Sequence, residues 1–298
     1  MLVVSQLPPK AQYLDEFSFP MISIWCLPKS TFEGGRPSID REKLLFWLLI
    51  KRSTNWDYRT IAAFAGVSHP TLIRANQFFM KQGIYEKIFT HLVKRAYRER
   101  LIKGKFVAMD SSFVETFSGK QEIGSEGYNG HKKGYGFKLH LLIDAETSFP
   151  LALMVTNGLA ADCTLAIPLL KRARYWLKKA GYVLADKGYD DTDIVNWIAK
   201  TLHAKAGIPM RVKSKLAKGK KNRYGNLLNW KLKAVGRTFK KSIYRRRSGI
   251  ERFFSTLKRV LHLGKEETRG IVSFTKNVYL SLICYMLKQF YAEGISYS

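Results

Sequence analysis

The chain has 298 residues, 51 lysines and arginines against 23 aspartates and glutamates, and a formal net charge of +28. Its hydrophobic content of 46% and aromatic content of 13% predict a folded protein and exclude a disordered basic tail. So large a positive charge favours a polyanionic partner, most often nucleic acid, over a membrane surface.

The arrangement of the cysteines and histidines makes a zinc site and a disulfide framework unexpected. The three cysteines and six histidines form no CxxC or HExxH pattern. We therefore expect neither a zinc site nor a disulfide framework, and we expect a reducing compartment. No secretory signal is visible at the start, and the longest apolar runs are short or carry Lys276 or Lys288. These runs predict buried helices and no membrane partner.

The N-terminal part divides at residue 38. Residues 1–38 contain repeated prolines and glycines and are predicted to be an irregular N-terminal arm. Residues 39–103 show helical spacing and are predicted to form an all-α domain. A small residue, Gly66, separates two of its helices, as in a helix-turn-helix.

The first of these two helices should begin near Tyr58, and the second should begin near His69, with Ser68 as its cap. In a helix-turn-helix the second helix reads DNA. Its candidate DNA contacts are Thr71, Arg74, Asn76 and Gln77. The alternative is a helical hairpin that only packs or dimerises.

After Gly104 the apolar pattern changes to that of short strands. FVAMD reads as a buried strand ending at Asp110, and YVLAD reads as another ending at Asp186. Between them lie a glycine-rich loop, two further strand-like runs and a helix that Asp162 can cap. A helix and a strand at IPMRVKS should follow Asp186. The order predicts an α/β fold with a mixed sheet flanked by helices.

The segment from Tyr244 to Lys258 carries an unusual set of polar residues. If it is helical, Tyr244, Arg247, Glu251 and Lys258 share an arc of roughly 60°. The neighbouring arc is apolar and should face a core. It comprises Ile243, Ile250, Phe253, Phe254, Leu257 and Leu261. A solvated Arg–Glu face is the alternative explanation of the polar arc.

Asp110, Asp186 and Glu251 are the candidate catalytic and metal-binding carboxylates. Three converging carboxylates can hold two divalent cations about 3.5–4 Å apart. Oxygen ligands without histidine or cysteine favour Mg²⁺, with Mn²⁺ as a substitute. Weaker candidates for the same role are Glu115, Asp144, Asp190 and Asp191, of which Glu115 and Asp190 are the ones to test as substitutes.

These motifs, in this order, resemble those of insertion-sequence transposases with a DDE catalytic domain, the group related to insertion sequence families four and five. That group carries the signature Tyr, two residues, Arg, three residues, Glu, six residues, Lys, which Tyr244, Arg247, Glu251 and Lys258 match. Its first Asp is typically followed by small residues and its second lies in a D-x-G-Y context, as at Asp110 and Asp186. The resemblance extends from about residue 40 to the end.

The resemblance implies an RNase H-like catalytic domain over residues 104–298, with Asp110, Asp186 and Glu251 as ligands of two Mg²⁺ ions. It implies that Tyr244, Arg247 and Lys258 contact the transposon end. Lys132 and Lys133 are further DNA-contact candidates, and the basic segment at 213–241 is expected to follow DNA. The interval before Glu251 leaves no room for the β insertion of some relatives, which favours the family-five side.

The implied function is a transposase that binds terminal inverted repeats, cleaves the strands by two-metal phosphodiester hydrolysis and joins the 3′ ends to target DNA. A homodimer on double-stranded DNA, cytoplasmic and nucleoid-associated in a prokaryotic host, would be expected. Two alternatives remain. One is a sequence-specific DNA-binding protein that lacks catalysis, and the other is a metal-dependent DNA nuclease without strand transfer.

Overall fold

The computed structural model describes residues 8–9, 11–14, 39–116, 128–209, 240–266 and 269–295. By contact the chain divides into two compact units. Residues up to Ala96 form the helical unit together with Ser255–Ser298, and Tyr97–Phe254 form the sheet unit. Most of the basic segment at 213–241 lies outside the described residues, as does most of the N-terminal arm.

The helical unit is built around a long apolar C-terminal helix. Cys284 of that helix donates from its thiol to the carbonyl oxygen of Leu49 at 3.6 Å, and Arg52 donates to the Ser281 hydroxyl at 2.6 Å. No helix in the described ranges is long and apolar enough to cross a membrane. The helices are α1 (Arg41–Thr54), α2 (Tyr58–Ala65), α3 (His69–Lys81), α4 (Ile84–Arg98) and, at the C-terminus, α9 (Ile271–Ala292).

The predicted end of α2 and start of α3 are confirmed, but Ser68, at the cap position of α3, makes no side-chain capping hydrogen bond. Asp57 caps α2 by accepting from the amides of Arg59 and Thr60, and the helix ends at Gly66 with a φ of 65°. That left-handed φ suits glycine, which lacks the Cβ that would clash there. Helix α3 begins at His69 with a proline in its first turn, where no amide donor is needed.

The sheet unit contains a mixed sheet, as predicted. Strand β1 pairs antiparallel with β3 and parallel with β5, β4 pairs antiparallel with β3, and β6 pairs parallel with β5. The strands are β1 (Phe106–Thr116), β2 (Tyr128–Asn129), β3 (Gly134–Asp144), β4 (Pro150–Asn157), β5 (Tyr182–Leu184) and β6 (Lys205–Gly207). Two helices, α5 (Asp162–Ala173) and α6 (Thr192–Leu202), flank it, and a two-residue strand, β7 (Lys265–Glu266), follows later in the chain.

Three predicted details were wrong. Strand β1 does not end at Asp110, because its pairing with β3 continues to Glu115. Asp162 does not cap α5; it is the first residue of that helix, and Ala161 occupies the cap position. The strand predicted at IPMRVKS is placed earlier, at Lys205–Gly207, and residues 208 and 209 are not part of it; the rest of that segment lies outside the described residues.

The segment around Glu251 is helical but not a single α-helix. A four-residue helix, α7 (Lys241–Tyr244), is followed by a 3-10 turn at Arg245–Arg247 and by α8 (Ser248–Arg259). The apolar arc is buried as predicted at most positions: Ile250, Phe253, Phe254, Leu257 and Leu261. A Cβ on Gly249 would lie 3.1 Å from the carbonyl oxygen of Ala145, so this glycine permits the start of α8 to lie close to the β3–β4 turn.

Candidate active site

Asp110 and Asp186 lie side by side at one edge of the sheet. Strands β1 and β5 run parallel with Ala108 opposite Leu184. Two residues further on, β5 has ended while β1 continues, so Asp110 projects beside the loop that carries Asp186. The Asp186 carboxylate caps the 3-10 turn that follows it, accepting from the Gly188 amide at 2.6 Å. The predicted pairing of these two aspartates therefore agrees with the strand register.

Asp110 is in an unusual electrostatic environment. The pKa of Asp110 is raised to about 6, chiefly by burial, and the nearby Asp186 carboxylate contributes to this rise. The Arg247 guanidinium and a hydrogen bond from the Ser111 amide act in the opposite direction without cancelling the effect of burial. A carboxylate whose charge is only partly compensated is suited to binding a cation.

Arg247 joins Asp110 to Glu251. Its Nη1 donates to Asp110 Oδ2 at 2.7 Å, and its Nη2 donates to Glu251 Oε1. The side chains of Asp110 and Arg247 are 21% and 16% exposed, whereas that of Glu251 is 57% exposed. Two of the three candidate metal ligands are thus connected by one guanidinium, although residues 110 and 251 are far apart in the chain.

Neighbouring contacts hold Arg247 in place. The Arg246 guanidinium lies 4.4 Å from the centre of the Phe106 ring and its Nη1 is 3.1 Å from Glu146 Oε1. Phe106 and Asp110 point to the same side of β1, because side chains alternate along a strand. The Tyr244 ring centre lies 5.8 Å from the Arg247 guanidinium. The 3-10 turn is therefore fixed against the same face of the sheet that presents Asp110.

The carboxylates of the site differ in how well they are placed to bind a divalent cation. Asp110 and Asp186 offer adjacent carboxylates of the hard oxygen type that Mg²⁺ prefers. No group of three His, Cys, Asp or Glu side chains in the described part of the chain is arranged to hold a metal ion. The two aspartates thus offer donors that suit a cation, whereas the carboxylate of Glu251 is bonded to Arg247.

The other predicted contact residues are dispersed. Arg74 and Gln77 are exposed on α3, while the Thr71 hydroxyl is hydrogen bonded to that of Ser68 at 2.8 Å. Lys132 and Lys133 are exposed in the turn before β3. Lys258 lies in the last turn of α8.

Asn76 corrects the predicted DNA-contact set. It is only 2% exposed, donates to the Tyr58 hydroxyl at 2.6 Å and accepts from the Tyr85 hydroxyl at 2.6 Å. Its amide therefore ties together α2, α3 and α4 and does not face a ligand. Helical spacing alone could not separate this interior position from the exposed ones beside it.

Two contributions to the site were not predicted. Tyr189 is 2% exposed, and burial raises its pKa well above the ordinary value, with Asp162, Asp110 and Asp186 nearby adding to the effect. Arg246 and Glu146 anchor the turn that carries Arg247. The D-x-G-Y motif contains Tyr189, but the motif alone does not show that this side chain is buried beside the carboxylates. No sequence signal connects Arg246 with Glu146, 100 residues earlier.

Comparisons with known proteins show which family and fold the chain shares. A Brucella ovis protein named as the transposase for insertion sequence element IS6501 is 30% identical over 145 residues, covering 48% of this chain and 92% of the relative. The cryo-EM structure of the piggyBac transposase synaptic complex with hairpin DNA aligns with a TM-score of 0.52 at 10% identity, covering 97% of this chain and 73% of that one. That alignment supports a shared fold.

The Mos1 strand transfer complex aligns with a TM-score of only 0.25 at 12% identity, covering 91% of this chain and 82% of that one, so no argument rests on it. The family described as "Transposase DDE domain" matches residues 102–287, more than half of the chain and a range that contains Asp110, Asp186, Arg247 and Glu251. The chain therefore belongs to the family of DDE transposases.

Proposed function

We propose that this transposase binds the terminal inverted repeats of its insertion sequence, cleaves the DNA strands and joins the 3′ ends to target DNA. The observation that carries the proposal is the meeting of Asp110, Arg247 and Glu251, with Asp186 beside Asp110. These four residues come from three distant parts of the chain and lie close together in the sheet unit. A purely structural ion pair would not need a third carboxylate at the same place.

We assign Asp110, Asp186 and Glu251 as ligands for two Mg²⁺ ions, replaceable by Mn²⁺. When bound, such ions lower the pKa of an attacking water or 3′-hydroxyl and stabilise the leaving oxygen. The protein's own contribution is to hold hard oxygen donors at the sheet edge and to supply cations for the phosphate. The buried position of Asp110 strengthens its interaction with a cation, because water screens it less.

The proposed DNA contacts are cationic or can stack. Arg247 can donate two hydrogen bonds to one phosphate, Lys258 offers a point charge, and Tyr244 can stack on a terminal base. Lys132 and Lys133 and the basic segment at 213–241 add positive charge for the backbone. Thr71, Arg74 and Gln77 on α3 are proposed to help recognise the repeat. Because two ends must be brought together, a homodimer on DNA is part of the proposal.

The test is a cleavage and joining assay on a duplex that carries the element's terminal repeat. The unmodified protein is expected to nick the duplex and to join its 3′ end to a second duplex in Mg²⁺, and to do neither in excess chelator. Asp186→Asn should lose both steps. Asp193→Asn is the matched control, because Asp193 is an exposed carboxylate in the first turn of α6.

The outcomes separate the three functions. Cleavage with joining supports a transposase of the proposed mechanism. Cleavage without any joining would indicate a metal-dependent nuclease. Repeat-specific binding without cleavage in Mg²⁺ or Mn²⁺ would indicate a DNA-binding protein that has lost catalysis.

A further inference from the structure

Arg247 occupies a position with two competing classes of partner. It donates to Asp110 and Glu251. The same guanidinium is the proposed contact for a DNA phosphate. A guanidinium forks equally well onto a carboxylate or a phosphate, since both present a pair of oxygens at matching spacing. A phosphate that engages both Nη atoms therefore competes with Asp110 and Glu251 for this guanidinium.

The charge balance makes such an exchange conditional. Arg247 and Asp110 are 16% and 21% exposed, so separating them alone would leave two poorly solvated charges. If a phosphate takes the guanidinium and a divalent cation takes the carboxylates, every charge remains paired. Neither replacement is favourable without the other, because each leaves one member of the original pair uncompensated.

We propose that Arg247 is an internal counter-ion that holds Asp110 and Glu251 in the DNA-free protein, and that a backbone phosphate releases it and so opens both carboxylates to divalent cations. Metal loading is then coupled to DNA binding through one side chain. The proposal rests on the proposed function for the identity of the phosphate and of the cations. It also explains why Glu251 is bonded to a guanidinium and does not stand with the aspartates as a metal group.

The test is the affinity of the DNA-free protein for Mn²⁺, measured at pH 8 from the electron paramagnetic resonance signal of the free ion. Arg247→Gln removes the counter-ion and is expected to bind Mn²⁺ about 5- to 150-fold more tightly, the usual range for coupling between two sites. Arg259→Gln is the matched control, since it removes the same charge from an exposed position at the end of α8, outside the site. Its affinity should equal that of the unmodified protein.

A second variant guards against a folding defect. Arg247→Lys keeps the charge but lacks the fork that bridges two carboxylates, so its affinity should lie between those of the other two proteins. The gain of Arg247→Gln should disappear when it is combined with Asp110→Asn. An affinity of both Arg247 variants equal to or weaker than that of the unmodified protein would overturn the proposal.

A second Mn²⁺ titration is carried out in the presence of a terminal-repeat duplex, and the ions bound by the duplex alone are subtracted. The unmodified protein should gain affinity and approach the Arg247→Gln variant. An unchanged ratio between the two proteins would overturn the coupling. This failure is distinct from failure of the proposed function, because a protein without the coupling would still cleave its repeat in Mg²⁺.

Discussion

Two polar clusters lie on opposite faces of the same strands and differ in how their charges are matched. Asp110 on β1 is opposite Leu141 on β3, and the residue before Leu141, His140, points to the other side of the sheet. There Lys138 lies 2.9 Å from Asp162 Oδ1, and His140 Nε2 lies 2.9 Å from the Thr156 hydroxyl. We call the Lys138, His140, Thr156 and Asp162 group the rear cluster. The site cluster is Asp110, Asp186, Arg247 and Glu251.

The rear cluster is balanced and the site cluster is not. In the rear cluster one ammonium meets one carboxylate, and burial lowers the pKa of His140 to about 4, which keeps it neutral at physiological pH. In the site cluster one guanidinium bridges two carboxylates while a third stands beside them. An excess of negative charge at a buried position is unfavourable for stability and favourable for binding cations. The rear cluster therefore has the charge balance of a structural ion pair, whereas the site cluster has the excess negative charge expected of a cation-binding site.

The largest expected effect comes from removing Glu251. Glu251→Gln should lower strand cleavage about a hundredfold or more, given that even outer-shell partners of metal ligands cost 10- to 100-fold. Because this side chain is 57% exposed, the free energy of unfolding should change by less than about 1 kcal/mol. Single-turnover cleavage and urea unfolding measure the two effects. Retained cleavage would place Glu251 outside the site cluster.

The pH dependence of stability should report the cost of Asp110. Its pKa of about 6 in the folded protein exceeds the unfolded value of about 3.9, so the folded state binds more protons between these pH values. Stability from this residue is therefore present at low pH and lost as pH rises through about 6. Asp110→Asn should gain about 2–3 kcal/mol relative to the unmodified protein from pH 4 to pH 7. A flat difference between their unfolding free energies would contradict this assignment.

The rear cluster should respond in the opposite way to the site cluster. Asp162→Asn removes the carboxylate that faces Lys138, whose side chain is only 15% exposed. We expect a loss of about 1–2 kcal/mol in the free energy of unfolding, since a nearly buried charge loses its partner. Cleavage per folded molecule should be unchanged. Loss of cleavage at full stability would show that the two clusters act together.

The smallest effect is expected at the Arg246–Glu146 pair. Arg246 and Glu146 are 47% and 28% exposed, and exposed ion pairs contribute about 0–1 kcal/mol. Glu146→Gln should therefore shift the unfolding midpoint only slightly. A double-mutant cycle with Arg246→Gln isolates the pair from the contact with Phe106. A coupling well above 1 kcal/mol would mean that this pair fixes the turn more firmly than its exposure suggests.

Local signals predicted local structure well. Gly66 marks the end of α2, and Pro70 marks the first turn of α3. Both could be predicted because the backbone conformation at those positions depends on one or two residues. The end of β1 was missed because Ser111 and Ser112 interrupt the apolar run, whereas the pairing of β1 depends on β3. Pairing partners distant in the chain are invisible in a local pattern.

The candidate site was predictable in membership but not in arrangement. The spacing of Tyr244, Arg247, Glu251 and Lys258 identified the segment, and the register of β1 and β5 brings Asp110 and Asp186 together. The bridge from Arg247 to Asp110 spans 137 residues and depends on the packing of the 3-10 turn against the sheet. Helical periodicity predicts which face of a helix carries a side chain, but it does not predict which carboxylate Arg247 will pair with.

The most direct test of the metal site is a crystal structure of the protein bound to a terminal-repeat duplex and soaked in Mn²⁺, with anomalous scattering used to locate the ion. We expect an Mn²⁺ peak between the carboxylates of Asp110 and Asp186, with the Arg247 guanidinium withdrawn from Asp110 where the ion is bound. Ions found only at other carboxylates, with Arg247 still bonded to Asp110 at saturating Mn²⁺, would contradict this expectation.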